Sequence, residues 1–557
     1  MFQLEMAKQF HNYFLNRPVI VFLKILSFIC IPTLLTIPIP AAKFDRFQMV
    51  NDKKDSKPKR LLYLPLDERF TTRDLFLSFA GITPYQVITP DKTMLPQKKK
   101  LPNIKALIDW TANTIDQADA AIISADMLIY GGLIASRTSA DTLADVRARL
   151  KVLEEIRLKN PQMPIFVSTT VMRMPQYSSA DEEPDYYAQY GREIFLYSQH
   201  SHRYEVLKNP EDNKAAESYK NKIPKEVLED YLTRRERNFQ INKRLIELVR
   251  KNVINRLVIT LDDNAEYGLF KKEAAELEKL SADLRDSVAI YPGADEAQLP
   301  LLSRLVFGTK RIPIYIAYRF PEARRLIPSF EGQALEESVE QQVLAAGGTK
   351  VDNQNKAACI LYVNNFSEKQ LFAGSQIGKR AEEKFSLENL LLKSGITIKK
   401  GKIYILADNR YYNGSDVQFI ASIFSSKINP DQMAYAGWNT SGNTLGTAIA
   451  MGLLRSEINQ TKFVRQRYKR LLWSRFIEDW AYMVEGREEL KRDMKQRNIT
   501  AFAEMPLEKD YESRMKSFLN SKASIVNNFL RTDYSVNRAF FPWHRHFEIG
   551  FEIQNNN

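Results

Sequence analysis

"RLVITLDDNAEYG", Arg256 to Gly268, is the stretch on which the reading of this chain turns. Leu257 to Leu261 form a continuous run of apolar and β-branched residues rather than an alternating one, the pattern of a strand covered on both faces. The run ends in two adjacent carboxylates, Asp262 and Asp263, and Glu266, Tyr267 and Gly268 follow. Neighbouring strand residues point to opposite faces. Both aspartates therefore reach one ligand only if the strand has ended and the backbone turns, which Asn264 and Gly268 allow.

Runs of the same kind recur on either side: "RLLYLP" from Arg60, "YQVIT" from Tyr85, "AAIISA" from Ala120 and "PIFVSTTV" from Pro164 before it. After it come "SVAIYP" from Ser287, "IPIYIAY" from Ile312, "ACILYV" from Ala358, "KIYILA" from Lys402 and "MAYAGW" from Met433. Helical patterns such as "NIKALIDWTANTID" and "DTLADVRARLKVLEEIRLK" separate them, so the chain is α/β with parallel strands. The pattern predicts a barrel-like (β/α) first domain over residues 60–348, carrying a helical insertion at 175–255 that could serve as a lid. A second, smaller α/β unit over 349–452 and a helical C-terminal region over 453–557 follow. The alternative is a pair of doubly wound sheets divided near Gly347 and Gly348.

Polar groups cluster where the strands end, the edge at which α/β proteins bind ligands. "LPLDERF" supplies Asp67 and Arg69, "SADMLIYGGLIASR" supplies Asp126 and Arg137, and the strand from Pro164 runs on to Arg173. In "YPGADEAQ" the Pro292–Gly293 turn sets Asp295 and Glu296 at the rim. Asp408 and Asn413 stand in "LADNRYYNGSD". "GWNTSGNTLGTAIA" brings Trp438, Asn439 and Asn443 on a small-residue loop that enters a helix, where it offers N–H groups to an anion, hydroxyls to a sugar, or a helix cap. No phosphate-binding Gly-Lys-Ser/Thr, dinucleotide GxGxxG or Gly-x-Ser-x-Gly elbow occurs, which disfavours nucleotide binding and serine acyl transfer.

A hydrophobic content of 44% over 557 residues provides for real cores. The formal charge of +13 is compatible with anionic partners, yet no aromatic platform is interleaved with Arg and Lys, so nucleic acid is not an expected partner. Two cysteines, Cys30 and Cys359, give no disulfide framework. The His200/His202 and His544/His546 pairs lack zinc-site spacing and read as surface residues. From Pro18, "PVIVFLKILSFICIPTLLTIPIPAA" reads as a signal peptide or membrane anchor within residues 1–42, with a basic linker at 43–59. It points to an extracytoplasmic, secreted or membrane-anchored protein; the more basic flank after the run favours the alternative, the cytoplasmic face of the membrane.

The set "PLDER", "ADMLIYGGLIASR", "TTVMRM", "LDDNAEYG", "YPGADE", "LADNRYYNGSD" and "GWNTSGNTLG" resembles, in order and from about Leu61 to Gly452, a bacterial family known as domain of unknown function 4127. The resemblance implies no activity. The family pattern generally has an aspartate where this chain has Glu68 and a proline where it has Phe70. The Asp262–Asp263 pair is also similar to that of barrel glycosidases whose substrate supplies its own N-acetyl nucleophile.

Paired carboxylates at strand ends suit a carbohydrate-active hydrolase, because an oxocarbenium-like transition state is cationic and the leaving oxygen needs an acid of raised pKa. Asp262, Asp263, Asp295 and Glu296 are the candidate catalytic residues. Asp67, Arg69, Asp126, Arg137, Arg173, Tyr267, Asp408, Asn413, Trp438, Asn439 and Asn443 are candidates for substrate binding. No cofactor is expected; the alternatives are a divalent cation held by Asp67, Asp126, Asp262 and Asp295, and a noncatalytic envelope protein that binds a glycan or a partner.

Overall fold

The computed structural model describes residues 58–378, 386–458, 461–500 and 505–556. The proposed signal or anchor segment and nearly all of the basic linker lie outside them. Among the described residues fifteen strands follow in chain order. They are β1 (Lys59–Leu64), β2 (Tyr85–Ile88), β3 (Ala120–Ser124), β4 (Ile165–Val171), β5 (Arg256–Leu261), β6 (Val288–Pro292), β7 (Ile312–Tyr318) and β8 (Gly348–Lys350). The rest are β9 (Cys359–Val363), β10 (Leu371–Phe372), β11 (Ile403–Ala407), β12 (Tyr411–Tyr412), β13 (Met433–Ala436), β14 (Tyr534–Phe540) and β15 (Gly550–Asn555). All ten runs read as strands are strands.

The first sheet is parallel, in the order β2-β1-β3-β4-β5-β6. Its outer strands β2 and β6 do not pair, so it is open; the barrel expected from the sequence does not form, and the doubly wound alternative describes the molecule. After β6 the chain crosses through the helix Gln298–Phe307 and starts a second parallel sheet, β13-β11-β9-β7-β8. The sheets therefore divide between Pro292 and Ile312. β7, which the sequence reading placed in the first domain, belongs to the second sheet, and Gly347–Gly348 leads into β8, a strand not read from the sequence, rather than marking a boundary. Periodicity identifies strands well but carries no information about which strand the last one pairs with.

Alternate residues of β1 serve opposite faces. Leu61 and Tyr63 join a core that runs on through Leu301, Leu361, Ile405 and Leu445, whereas Leu62 and Leu64 join a separate core with Leu150, Ile259 and Leu245. The first of these cores spans both sheets. The insertion is helical as expected, with helices at Tyr187–Leu207, Pro210–Lys220 and Lys225–Arg250. Beyond residue 453 the chain is mainly helical, and Tyr468, Leu472, Phe476 and Trp480 are buried as their spacing predicts. The antiparallel pair β14–β15 that follows was not anticipated. Among the described residues, no helix is long and apolar enough to cross a membrane.

The helix Ser441–Glu457 locks the second sheet against the β6 turn, and its glycines are what permit this. A Cβ on Gly442 would lie 2.1 Å from the Pro292 carbonyl oxygen, and one on Gly446 would lie 2.3 Å from Glu296 Cγ. Thr440 caps this helix, and the Gly442 N–H donates to Glu331 Oε1 at 2.6 Å, so the anion seat at its start is filled by the protein's own carboxylate. Gly442→Ala is expected to lower unfolding stability by about 1–3 kcal/mol, measured as the shift in urea midpoint; an unchanged midpoint would show that the turn gives way freely.

Candidate functional site

A cavity of about 250 Å³ opens between the C-terminal edges of the two sheets. Eight of the residues singled out from sequence line it: Arg69, Arg137, Arg173, Asp262, Asp263, Asp295, Asn413 and Asn439. They come from different elements. Arg69 follows β1, Arg137 lies on the short helix Leu133–Thr138, Arg173 follows β4, and Asp295 follows β6. Asn413 and Asn439 follow β12 and β13 of the second sheet's half.

The turn after β5 works as the sequence suggested. Asp263 has φ 31°, so the backbone reverses at once and both aspartates face the cavity. Three other lining residues also take positive φ: Phe330 (65°), Asn413 (58°) and Asn439 (60°). Such conformations cost of order 1–3 kcal/mol each and persist where surrounding structure fixes them. The fixing bonds are present: the Asn264 N–H donates to the Phe330 carbonyl at 2.9 Å, and the Asn413 N–H to the Asn439 carbonyl at 2.8 Å.

One ion-pair network surrounds the space. Arg137 holds Asp262 at 2.5 Å, and Arg173 holds Asp263 at 2.8 Å. Behind both arginines lies Glu183, 3.3 Å from Arg137 and 2.7 Å from Arg173. Glu182 joins Arg137 (3.4 Å), Arg173 (3.1 Å) and, closely, Arg545. On the other side Arg69 pairs with Asp67 at 2.7 Å, closely with Asp295, and with Glu548 at 3.4 Å. Arg545 closes the ring on Glu548 at 2.8 Å.

Charge is shared unevenly, and the carboxylates show it. Asp295 is removed from water, and its one guanidinium, Arg69, is also claimed by Asp67 and Glu548. Burial, with those neighbours and Asp262, raises its pKa to about 7 against the pull of Arg69. Burial and the adjacent Asp262 raise Asp263 to about 6, with Arg173 opposing. Glu182 goes the other way: burial opposes ionisation, but Arg173, Arg545 and Arg137 together hold it well below the usual carboxylate range. Asp295 thus keeps its proton up to about neutrality, whereas Asp263 releases its own at lower pH and Glu182 stays ionised, the separation that acid–base work needs.

The remaining candidates do not line the cavity. Asp67 is fully buried and clamps Arg69, accepting from its main-chain N–H at 3.0 Å and its Nε at 3.0 Å. Asn443 stands behind Asn439, whose Nδ2 donates to its Oδ1 at 3.1 Å, and Trp438 packs edge-on against Phe547. Glu296 is buried away from the cavity, accepting from Asn443 Nδ2 at 2.6 Å, and burial pushes it up to about 8. It is therefore corrected from a catalytic candidate to a packing residue. Asp126 accepts from the N–H and Oγ1 of Thr170, both at 3.1 Å. Asp408 is enclosed by Asn364, Tyr435 and the Asp416 N–H. Tyr267 stacks near His202 and Arg203 outside the cavity. The four-aspartate cation set is likewise not gathered, since Asp67 and Asp126 are committed elsewhere.

Sequence reasoning missed two walls. Tyr177 and Glu182 come from the start of the insertion read as a lid, whose tyrosines Tyr186, Tyr187, Tyr190 and Tyr197 stood out in the sequence but do not line the cavity. Arg545 and Phe547 come from the loop between β14 and β15, in "FFPWHRHFE", where only the histidines had been weighed. Trp543 in that loop covers Arg69 at 4.2 Å, and its indole N–H donates to Glu68 Oε1 at 2.7 Å. Glu68 thus anchors this wall. The density of aromatic and charged residues around Pro542 was the available signal.

A family model described as "Protein of unknown function (DUF4127)" matches residues 61–552, and so extends over the C-terminal wall as well. Comparison with curated proteins and with solved structures gives no match. The chain belongs to the DUF4127 family of proteins of unknown function.

Proposed function

We propose that the protein is a carbohydrate-active hydrolase in which Asp295 donates a proton to the leaving oxygen and Asp263 acts as the ionised partner. The observation that carries this reading is that these two carboxyl groups, from the ends of neighbouring strands, face one cavity with pKa values raised to about 7 and about 6. Asp262, ion-paired to Arg137, adds negative charge beside the positive charge that develops on a sugar ring. Asn413, Asn439 and Thr440 offer donors and acceptors to hydroxyl groups, and Tyr177 and Phe330 offer flat apolar faces. The apolar run from Pro18 supports an extracytoplasmic location, where glycoconjugates are encountered. The divalent-cation reading has less support: among the described residues no group of three or more His, Cys, Asp or Glu is arranged to hold an ion.

Release of reducing ends from a panel of glycans tests the proposal. Asp263→Asn and Asp295→Asn are expected to lower kcat by about 10²–10⁴ with circular dichroism unchanged, and EDTA is expected to leave the rate as it was. A wild-type protein that binds glycans without turnover would instead support a noncatalytic receptor.

The pH dependence follows from the same two groups. The dependence of kcat/KM on pH should rise through about 6, as Asp263 ionises, and fall through about 7, as Asp295 loses its proton. Both values exceed the unfolded carboxylate value of about 4, so the native state holds protons that the unfolded chain has released. Stability should therefore fall as pH rises from about 4 to about 7, and Asp295→Asn should flatten that fall in urea midpoints taken across the interval.

A further inference from the structure

We infer that the substrate presents a positively charged amino group to this cavity, as a sugar with an unacylated amine does, and that acidic sugars are excluded. The sugar part rests on the hydrolase reading; the charge does not. The ion-pair network is closed on itself and contains seven carboxyl groups and four guanidinium groups, so its formal charge is 4 − 7 = −3. This stands inside a chain whose formal charge is +13. Arg487 stacks on the Phe547 ring 4.8 Å away and, counted in, still leaves −2. Protonation of Asp295 relieves one charge and does not reverse the sign.

One further feature favours a cation over a neutral ligand. Tyr177 and Phe330 line the same space with half and about a third of their surface exposed (52% and 37%), and aromatic faces beside carboxylates attract ammonium groups. An acidic sugar would bring a further negative charge beside a network in which carboxyl groups outnumber guanidinium groups by three, the surplus carboxyl groups Asp67, Glu183 and Glu548 standing behind the cavity walls.

Titration calorimetry of the full-length protein with glucosamine, N-acetylglucosamine, glucuronic acid and spermidine at neutral pH separates the outcomes. Glucosamine is expected to bind about tenfold or more tightly than N-acetylglucosamine, with affinity falling as salt is added, and glucuronic acid is not expected to bind. Equal or tighter binding of N-acetylglucosamine or glucuronic acid overturns the inference, as does absence of binding by all four. If spermidine binds and glucosamine does not, the cation preference stands and the carbohydrate reading fails. Because binding is read without turnover, a protein inert towards glycans leaves this result intact.

Discussion

Four guanidinium groups cannot neutralise seven carboxylates, and much of the chemistry of this molecule follows from that shortfall. Each arginine comes from a different segment: Arg69 after β1, Arg137 from the helix after β3, Arg173 after β4, and Arg545 from the loop that joins β14 to β15. Glu182 touches three of them. The network therefore ties the first sheet, the insertion and the C-terminal hairpin together. Removing one partner from such a buried pair costs about 3–5 kcal/mol, because the other charge is left behind. Burial, together with that shortfall, raises Asp295 to about 7 and Asp263 to about 6.

Rigidity around the cavity has a separate source. Four of its residues hold left-handed backbone that non-glycine side chains seldom adopt, and the bonds from Asn264 to Phe330 and from Asn413 to Asn439 keep them there. The Gly442 and Gly446 contacts press the second sheet's helix onto the Pro292–Glu296 turn, so the Asp295 side and the Asn439 side cannot drift apart independently. Strain at the site is thus supported by close packing one layer below it.

What could be read from the sequence and what could not divide along physical lines. A continuous apolar run is a local property, and every run so read is a strand. The carboxylates and arginines at strand ends were also legible, because parallel strands direct their C-terminal residues to one edge. Closure is not local: whether β7 extends the first sheet or begins another depends on what covers β6, and that cover comes from the later helices Leu335–Ala345 and Ser441–Glu457. Glu296 looked equivalent to Asp295 because both stand in one turn, yet the turn sends one to the cavity and the other to Asn443. The β14–β15 hairpin was hidden by its own composition, since only Tyr534, Val536 and Ala539 of β14 are buried and the remainder reads as polar chain.

The two sheets contribute differently to the space between them. The first brings charge, through Arg69, Arg173, Asp262, Asp263 and Asp295, whereas the second brings neutral amides and a ring, through Asn413, Asn439 and Phe330. The second sheet's own strand-end carboxylates are turned inward: Asp408 accepts from Asn364 and Tyr435, and Asp416 starts the helix Val417–Phe424. In the proposed hydrolysis the charged half would carry the proton traffic and the neutral half would recognise shape and hydroxyl pattern, so that residues of the second sheet could change to suit a new ligand while the proposed acid–base pair on the first stayed untouched.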